Sequence, residues 1–262
     1  MIQKIHASSV IEDGAILGEG VEIGPFCHVG SEVKLGDGAK LLSHVSIAGN
    51  TDVGARTKIF PTAVIGHEPQ DLKYRGEKNQ LIIGEDCLIR EGVTIHPGTE
   101  ENNGLTQIGN HCVFLACSHI AHDCMVGNNV ILSNNVMLAG HVTVEDFVIF
   151  GGASGAHQFC RIGHHAFIGG MSGVEHDVIP YGLTIGNRAT LRGLNLIGMK
   201  RNNIPRESIK AVQNAYGDLF KKGATVQENA KALKVSAGDD QYVADMLNFV
   251  LDERRRQLCV PE

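Results

Sequence analysis

Residues Phe114–Ile162 read FLACSH IAHDCM VGNNVI LSNNVM LAGHVT VEDFVI FGGASG AHQFCR I, with Phe114, Ile120, Val126, Leu132, Leu138, Val144, Phe150, Ala156 and Ile162 spaced six apart. A period of six matches neither the turn of a helix nor the alternation of a half-buried strand. It is the length of one flat side of a β-helix, and three sides make a coil of eighteen residues. Counting by eighteen places His122, Gly140 and Gln158 on one line, each about 4.8 Å from the next in a stacked parallel sheet. His141 and His157 flank that line by one residue, and His119 lies three before it. The repeat therefore gathers scattered histidines onto one wall beside a glycine, and that cluster is where chemistry is expected.

The period extends in both directions. From Ile5 to Gln70, eleven frames begin with Ile, Leu or Val, and glycine often follows. The first residue of a frame points inward, and a small second residue permits the turn between sides. Asp71–Leu81, DLKYRGEKNQL, breaks the pattern as a polar loop, and the frame resumes at Ile83 in the phase of Ile65. Glu101–Gln107 interrupts again and shifts the phase by one, after which twelve frames run from Ile108 to Ile179. Asn128, Asn129, Asn134 and Asn135 suit corners that need left-handed backbone. The chain reads as mainly β. A parallel β-helix covers residues 1–189, with loops projecting near 71–82 and 101–107.

After Thr190 the period becomes helical. Asn195–Arg201 suits a short helix. Pro205 opens a second, with Ile209, Val212, Tyr216, Leu219 and Phe220 at helical spacing and Gly223 as its stop. Thr225 and Glu228 form a capping box for a third. A fourth, near Asp240–Gln257, ends in Arg254, Arg255 and Arg256, cations that favour a helix C-terminus. Residues 190–262 thus read as a small α-helical domain.

Composition agrees with this outline. With 32 Gly, no Trp and 9 Phe, the chain suits many tight turns and a narrow aliphatic core. A net charge of −6 gives no case for nucleic acid. Residues 190–262 hold 12 Lys and Arg against 9 Asp and Glu, while residues 1–189 hold 11 against 20, so the basic tail suggests an acidic partner. Seven cysteines with no C-x-x-C pair argue against a disulfide framework or a structural zinc site and point to a reduced cytoplasm. Neither the start, MIQKIHASSV, nor any later run has the apolar length of a signal peptide or a membrane span. Because the column is thin and flat-sided, packing side by side into a closed homotrimer is expected, with clefts only between neighbours or under the loops.

Several motifs stand outside the hexad rule. They are PQDLKYRGE at 69–77, IREGVTIHPGT at 89–99, SHIAHDC at 118–124, LAGHV at 138–142, AHQF at 156–159, GN at 186–187 and GLNLIGMKR at 193–201. On these motifs, nearly the whole chain resembles the left-handed parallel β-helix acyltransferases, whose crossovers are an exception to the right-handed rule. Among them it resembles the UDP-N-acetylglucosamine O-acyltransferases of lipid A biosynthesis. The resemblance implies transfer of a (3R)-3-hydroxyacyl group from the phosphopantetheine of acyl carrier protein to the glucosamine 3-OH of UDP-N-acetylglucosamine. It implies no metal, no further cofactor and no covalent intermediate. An alcohol is a weak nucleophile at neutral pH, so a base must take its proton, and imidazole suits that role.

By the same resemblance His122 is the base, Asp123 supports its ring, and the Gly140 amide binds the thioester oxyanion. Adjacent strand residues face opposite ways, so contact between His122 and Asp123 requires a bend. His141 and His157 are positioning residues, Gln158 lies beside the sugar or the acyl group, and His119 and His96 lie near the cleft. Asp71 meets the sugar and Lys73 the nucleotide end, from a loop that covers a neighbouring subunit's cleft. Asn195 and Arg201 hold the UDP phosphates. Gly170, eighteen residues after Gly152, leaves the acyl slot open, which implies a chain of about C12–C14 over C10. The basic residues Lys221, Lys222 and Arg254–Arg256 would dock the acidic carrier.

Three positions depart from the family pattern, which has Glu in place of Ile197, Arg in place of Asn202 and His in place of Arg188. They leave the 3-amino analogue of UDP-N-acetylglucosamine open as the acceptor. A metalloenzyme like the γ-class carbonic anhydrases, with His119, His122 and Cys124 as donors, is a further alternative.

Overall fold

The period of six becomes a column because each frame supplies two inward side chains. The computed structural model describes residues 3–102, 104–236, 240–253 and 255–262. In it the first and fifth residues of a frame both face the axis: Val29 and Val33, Leu35 and Ala39, and Leu41 and Val45 are all buried. A reading with one inward residue per frame therefore understates the core. The fifth place takes the smaller side chain, among them Ala39, Ala63 and Ala166 and the thiols of Cys27, Cys87, Cys112, Cys124 and Cys160.

The fourth residue makes the corner. Its backbone is left-handed whatever its side chain, with φ +57° at Asn129, +59° at Asn135, +57° at His44 and +60° at Phe147. This conformation costs roughly 1–2 kcal/mol for a residue with a Cβ. Contact between corner rings one coil apart offsets part of it, tilted for Phe26 and His44 at 5.0 Å and stacked for Phe147 and His165 at 4.7 Å. Asn128 and Asn134, read as corners, instead precede them. Asn128 uses its side-chain oxygen to accept from the Asn110 amide at 2.8 Å.

Each side is a short strand that pairs in parallel with the next coil, with Glu22, Lys40 and Lys58 in register eighteen apart. Among the described residues three sheets of eleven, nine and eight strands form the walls of a left-handed parallel β-helix. Its last pair, Gly182–Ile185 with Thr190–Leu194, is antiparallel. Ile59 pairs with Ile89 and Ile89 with Phe114, steps of 30 and 25 residues, so the two loops add 12 and 7 to the regular 18. Both loops are narrower at their exits than the sequence reading placed them. Gln80–Ile83 and Leu105–Ile108 are four-residue strands paired along their whole length, because two insertions on adjacent coils can extend the same sheet.

Among the described residues four helices follow: α1 Leu196–Arg201, α2 Arg206–Leu219, α3 Val226–Ser236 and α4 Gln241–Leu251. Pro205 is the N-cap of α2, which stops at Leu219, before Gly223. The Asn229 amide donates to the free carbonyls of Leu219 and Lys221 there, both at 3.0 Å. The capping box of α3 is formed: Thr225 N donates to Glu228 Oε2 at 2.8 Å and Glu228 N to Thr225 Oγ1 at 3.2 Å. α4 ends at Leu251, so Arg255 and Arg256 do not serve its C-terminus but turn back onto the column. Arg254 lies outside the described residues. Among the described residues no helix is long and apolar enough to cross a membrane.

Candidate active site

His122 is the third residue of its frame and Asp123 the fourth. Asp123 is therefore a corner residue, with φ +61°. That is the bend that contact between neighbours needs, and His122 Nδ1 lies 2.7 Å from Asp123 Oδ2. The corner is clamped from below. Asp123 N donates to Thr106 Oγ1 at 2.8 Å, while Thr99 donates its amide to Oδ1 at 2.8 Å and its hydroxyl to Oδ2 at 2.6 Å. Burial opposes ionisation of Asp123, which is 1 % exposed, but the hydrogen bonds from His122 and Thr99 outweigh it and hold the carboxyl below its ordinary pKa. The anion in turn raises the His122 pKa, chiefly through their hydrogen bond and against the effect of burial.

The same corner continues upward. His141, one coil on, brings Nε2 to 3.6 Å from Asp123 Oδ2 and meets the His122 ring edge-on at 5.2 Å. Burial pushes its pKa down. Phe159, a further coil on, stacks on His141 at 4.5 Å.

Gly140 lies against the other side of the imidazole. A Cβ there would stand 2.6 Å from His122 Cε1 and 2.7 Å from Nε2, so only glycine lets the ring pack on this backbone. At other corners the amide of this third frame position is capped from the next coil: Asp37 accepts from Glu19, Asn110 from Glu85, Asn128 from Asn110 and Asp146 from Asn128. Gln158 occupies the capping place for Gly140, and the Gly140 N–H has no acceptor among the described residues. It is a free donor fixed beside the imidazole.

These groups open on a groove of about 710 Å³. His119, His122, Gly140 and His157 line it together with the small residues Ala121, Ala139, Gly155 and Gly173, and with Met137 and Met171. Met137, Gly155 and Gly173 are in register on successive coils, so the small residues form a continuous apolar trough. His119 Nδ1 is 2.7 Å from Thr94 Oγ1, and His96 meets the His119 ring edge-on at 5.1 Å. Burial lowers the pKa of both, that of His96 to about 4, so both are neutral at physiological pH.

Other residues singled out in the sequence lie elsewhere. His141 lines a separate cavity with Asp123, Phe159 and Arg255. Asp71 accepts from the Lys73 amide at 3.0 Å, and Lys73 Nζ pairs with Glu101 at 2.7 Å, which clasps the two projecting loops together. Of that first loop region, Gln70 lines the groove. Asn195 caps α1, accepting from Gly198 N and donating to the His165 carbonyl, both at 2.9 Å. Arg201 is exposed at the end of α1, Ile197 is exposed, and Asn202 is the C-cap. Neither Asn195 nor Arg201 lines the groove of its own chain. Gly170 is exposed at the corner before Met171, and Met171 rather than Gly170 is part of the lining. Cys124 is fully buried in the core and does not line the groove that His119 and His122 share. His122, Asp123 and His141 do present ligand atoms within 4.8 Å of one another. Sequence reasoning missed Thr99, Thr106 and Phe159. The place of Asp123, six residues before Asn129, was a signal for its corner.

Comparison with known proteins covers both halves of the molecule. A sequence profile of UDP N-acetylglucosamine O-acyltransferase, domain 2, matches residues 177–259, and one of six bacterial transferase hexapeptide repeats matches residues 105–140. An acyl-[acyl-carrier-protein]–UDP-N-acetylglucosamine O-acyltransferase of Sinorhizobium fredii is 52% identical over 258 residues, which cover 98% of this chain and 96% of that one. One of the same name from Bartonella henselae is 49% identical over 259 residues, covering 99% and 94%. The solved UDP-N-acetylglucosamine acyltransferase from Campylobacter jejuni superposes with a TM-score of 0.94 at 38% identity, covering 99% of this chain and 100% of that one. Likeness on this scale takes in column, loops and helical tail together, and the chain belongs to the UDP-N-acetylglucosamine O-acyltransferase family.

Proposed function

We propose that this chain transfers a (3R)-3-hydroxyacyl group from acyl carrier protein to the 3-OH of UDP-N-acetylglucosamine, the opening step of lipid A biosynthesis, with His122 as general base. The observation that carries this reading is the His122–Asp123 pair, set on an apolar groove beside an uncapped glycine amide. Asp123 fixes the ring through Nδ1 and leaves Nε2 to take the proton of the attacking hydroxyl. The oxygen adds to the thioester carbonyl, and the Gly140 N–H stabilises the oxyanion. Collapse expels the pantetheine thiolate, which takes the proton back from His122. No protein-bound intermediate is needed, and the only prosthetic group is the carrier's own.

His119, His141, His157 and Gln158 act as positioning residues in this scheme. Asp71, Lys73, Asn195 and Arg201 lie off the groove of their own chain. Their place supports a site completed by a neighbouring subunit, hence a homotrimer. Seven free cysteines suit a cytoplasmic protein. The trough of small residues suits a long chain.

Purified protein given carrier-bound 3-hydroxyacyl chains of mixed length, with UDP-N-acetylglucosamine or its 3-amino analogue, tests the scheme by product mass. The expected product is acylated UDP-N-acetylglucosamine, with about C12–C14 preferred over C10, in the presence of a chelator. Product from the amino analogue alone would move the acceptor atom. Activity that vanishes with chelator and returns with zinc would favour a metal held by His122, Asp123 and His141.

A further inference from the structure

Beyond α4 the chain returns to the column and lands on the rim of the groove. Arg256 Nη2 lies 2.6 Å from His157 Nδ1, and Arg256 Nε donates to the Gln158 carbonyl at 3.0 Å. Arg255 holds its guanidinium 4.9 Å from the centre of the Phe159 ring. The segment is tied down just beyond: Asp177 N donates to the Gln257 carbonyl and Cys259 N to the Asp177 carbonyl, both at 2.8 Å, and Leu258 and Cys259 are buried. Arg256 is thus held in place by the backbone that follows it.

We propose that Arg256 is a positioning residue that fixes His157 as its neutral Nε2–H tautomer, so that His157 presents a hydrogen-bond donor to a substrate oxygen in the groove. A guanidinium carries donors only and stays charged. At 2.6 Å the ring nitrogen facing it must accept, so Nδ1 carries no proton. The rival partner for an Nδ1–H is the Gln158 carbonyl, but it stands 3.4 Å away and already accepts from Arg256 Nε. Turning the ring over would set a C–H against the guanidinium and lose the bond. With Nδ1 occupied, the single proton of the neutral ring sits on Nε2. His157 lines the groove, so an Nε2–H there is available to an acceptor on the groove's occupant. The hydroxyl and carbonyl oxygens of a 3-hydroxyacyl sugar nucleotide are such acceptors. The Arg256 charge then serves the site rather than a docking face for the carrier. The occupant of the groove rests on the proposed function, whereas the tautomer rests on geometry alone.

The test is ¹⁵N NMR of histidine-labelled protein near neutral pH, with the His157 signals assigned by their loss in His157→Gln. The wild type is expected to show Nε2 protonated and Nδ1 bare. Arg256→Gln keeps bulk but can turn its amide to accept, so it should show mixed tautomers and a fall in kcat/KM of about tenfold, the scale of one lost hydrogen bond. Arg256→Lys, which can only donate, should restore the tautomer and most of the rate. A protonated Nδ1 in the wild type, or an unchanged tautomer in Arg256→Gln, would overturn the proposal. The NMR readout needs no substrate. A wild type inactive on UDP-N-acetylglucosamine would therefore defeat the proposed function while leaving the tautomer result standing.

Discussion

His122→Ala should lower kcat by about 10²–10⁴-fold, the usual contribution of a positioned general base, and leave the column intact. The fold should survive because His122 is an outward-facing third residue of its frame, while the core of this rung is Ile120 and Cys124, both fully buried. Asp123 would keep its two bonds from Thr99 and its own amide bond to Thr106, so the corner would not collapse around an orphaned carboxylate. Residual activity would come from the Gly140 amide and the groove. Steady-state kinetics beside a thermal melt separates the two effects. A melt close to wild type with kcat nearly abolished is the expected pair of results, and an unchanged kcat would remove His122 from the chemistry.

Gly140→Ala should be almost as damaging, for a different reason. The position tolerates a side chain as far as the fold is concerned. The equivalent third residue is Glu19 at one corner and Asn128 at another, and Gly140 has no positive φ. What a methyl group meets at Gly140 is the imidazole itself, at 2.6 Å from Cε1. The ring must swing away, and a displacement of about 1 Å at a reacting group costs on the order of 10²-fold in rate. The melt should hardly move. In the double variant with His122→Ala the losses should not multiply, because both act through one ring. A Gly140→Ala enzyme with wild-type kcat would mean that the imidazole does not work from this pose.

The period of six made the column readable from residues such as Ile120, Val126 and Leu132 alone, because a repeat forces every coil to solve the same packing problem. Stacking by eighteen likewise brought His122 and Gly140 together on paper as they are in space. The Asp123 contact was harder to read. Alternation of strand side chains argues against it, and only the corner rule that also governs Asn129 and Asn135 turns the carboxylate onto its neighbour. Thr99 escaped notice because it sits at the mouth of a loop, where no period marks which side chain points back. Arg255 and Arg256 were placed at a helix C-terminus for a related reason. Charge near a helix end looks like a cap, and nothing local shows that α4 stops at Leu251 or that a chain about 100 residues downstream of His157 folds back to meet it.

The most direct test of the account is the pH dependence of kcat/KM in the wild type and in Asp123→Asn. A base must be unprotonated to act, so the rate should rise with pH through the His122 pKa. The hydrogen bond to Asp123 raises that pKa, so the wild-type limb should lie above the ordinary imidazole value of about 6.5. In Asp123→Asn the raising partner is gone and burial, which lowers the pKa, remains. The limb should shift to lower pH while its plateau falls. An acid limb at the same pH in both proteins would contradict the His122–Asp123 pair as the catalytic base.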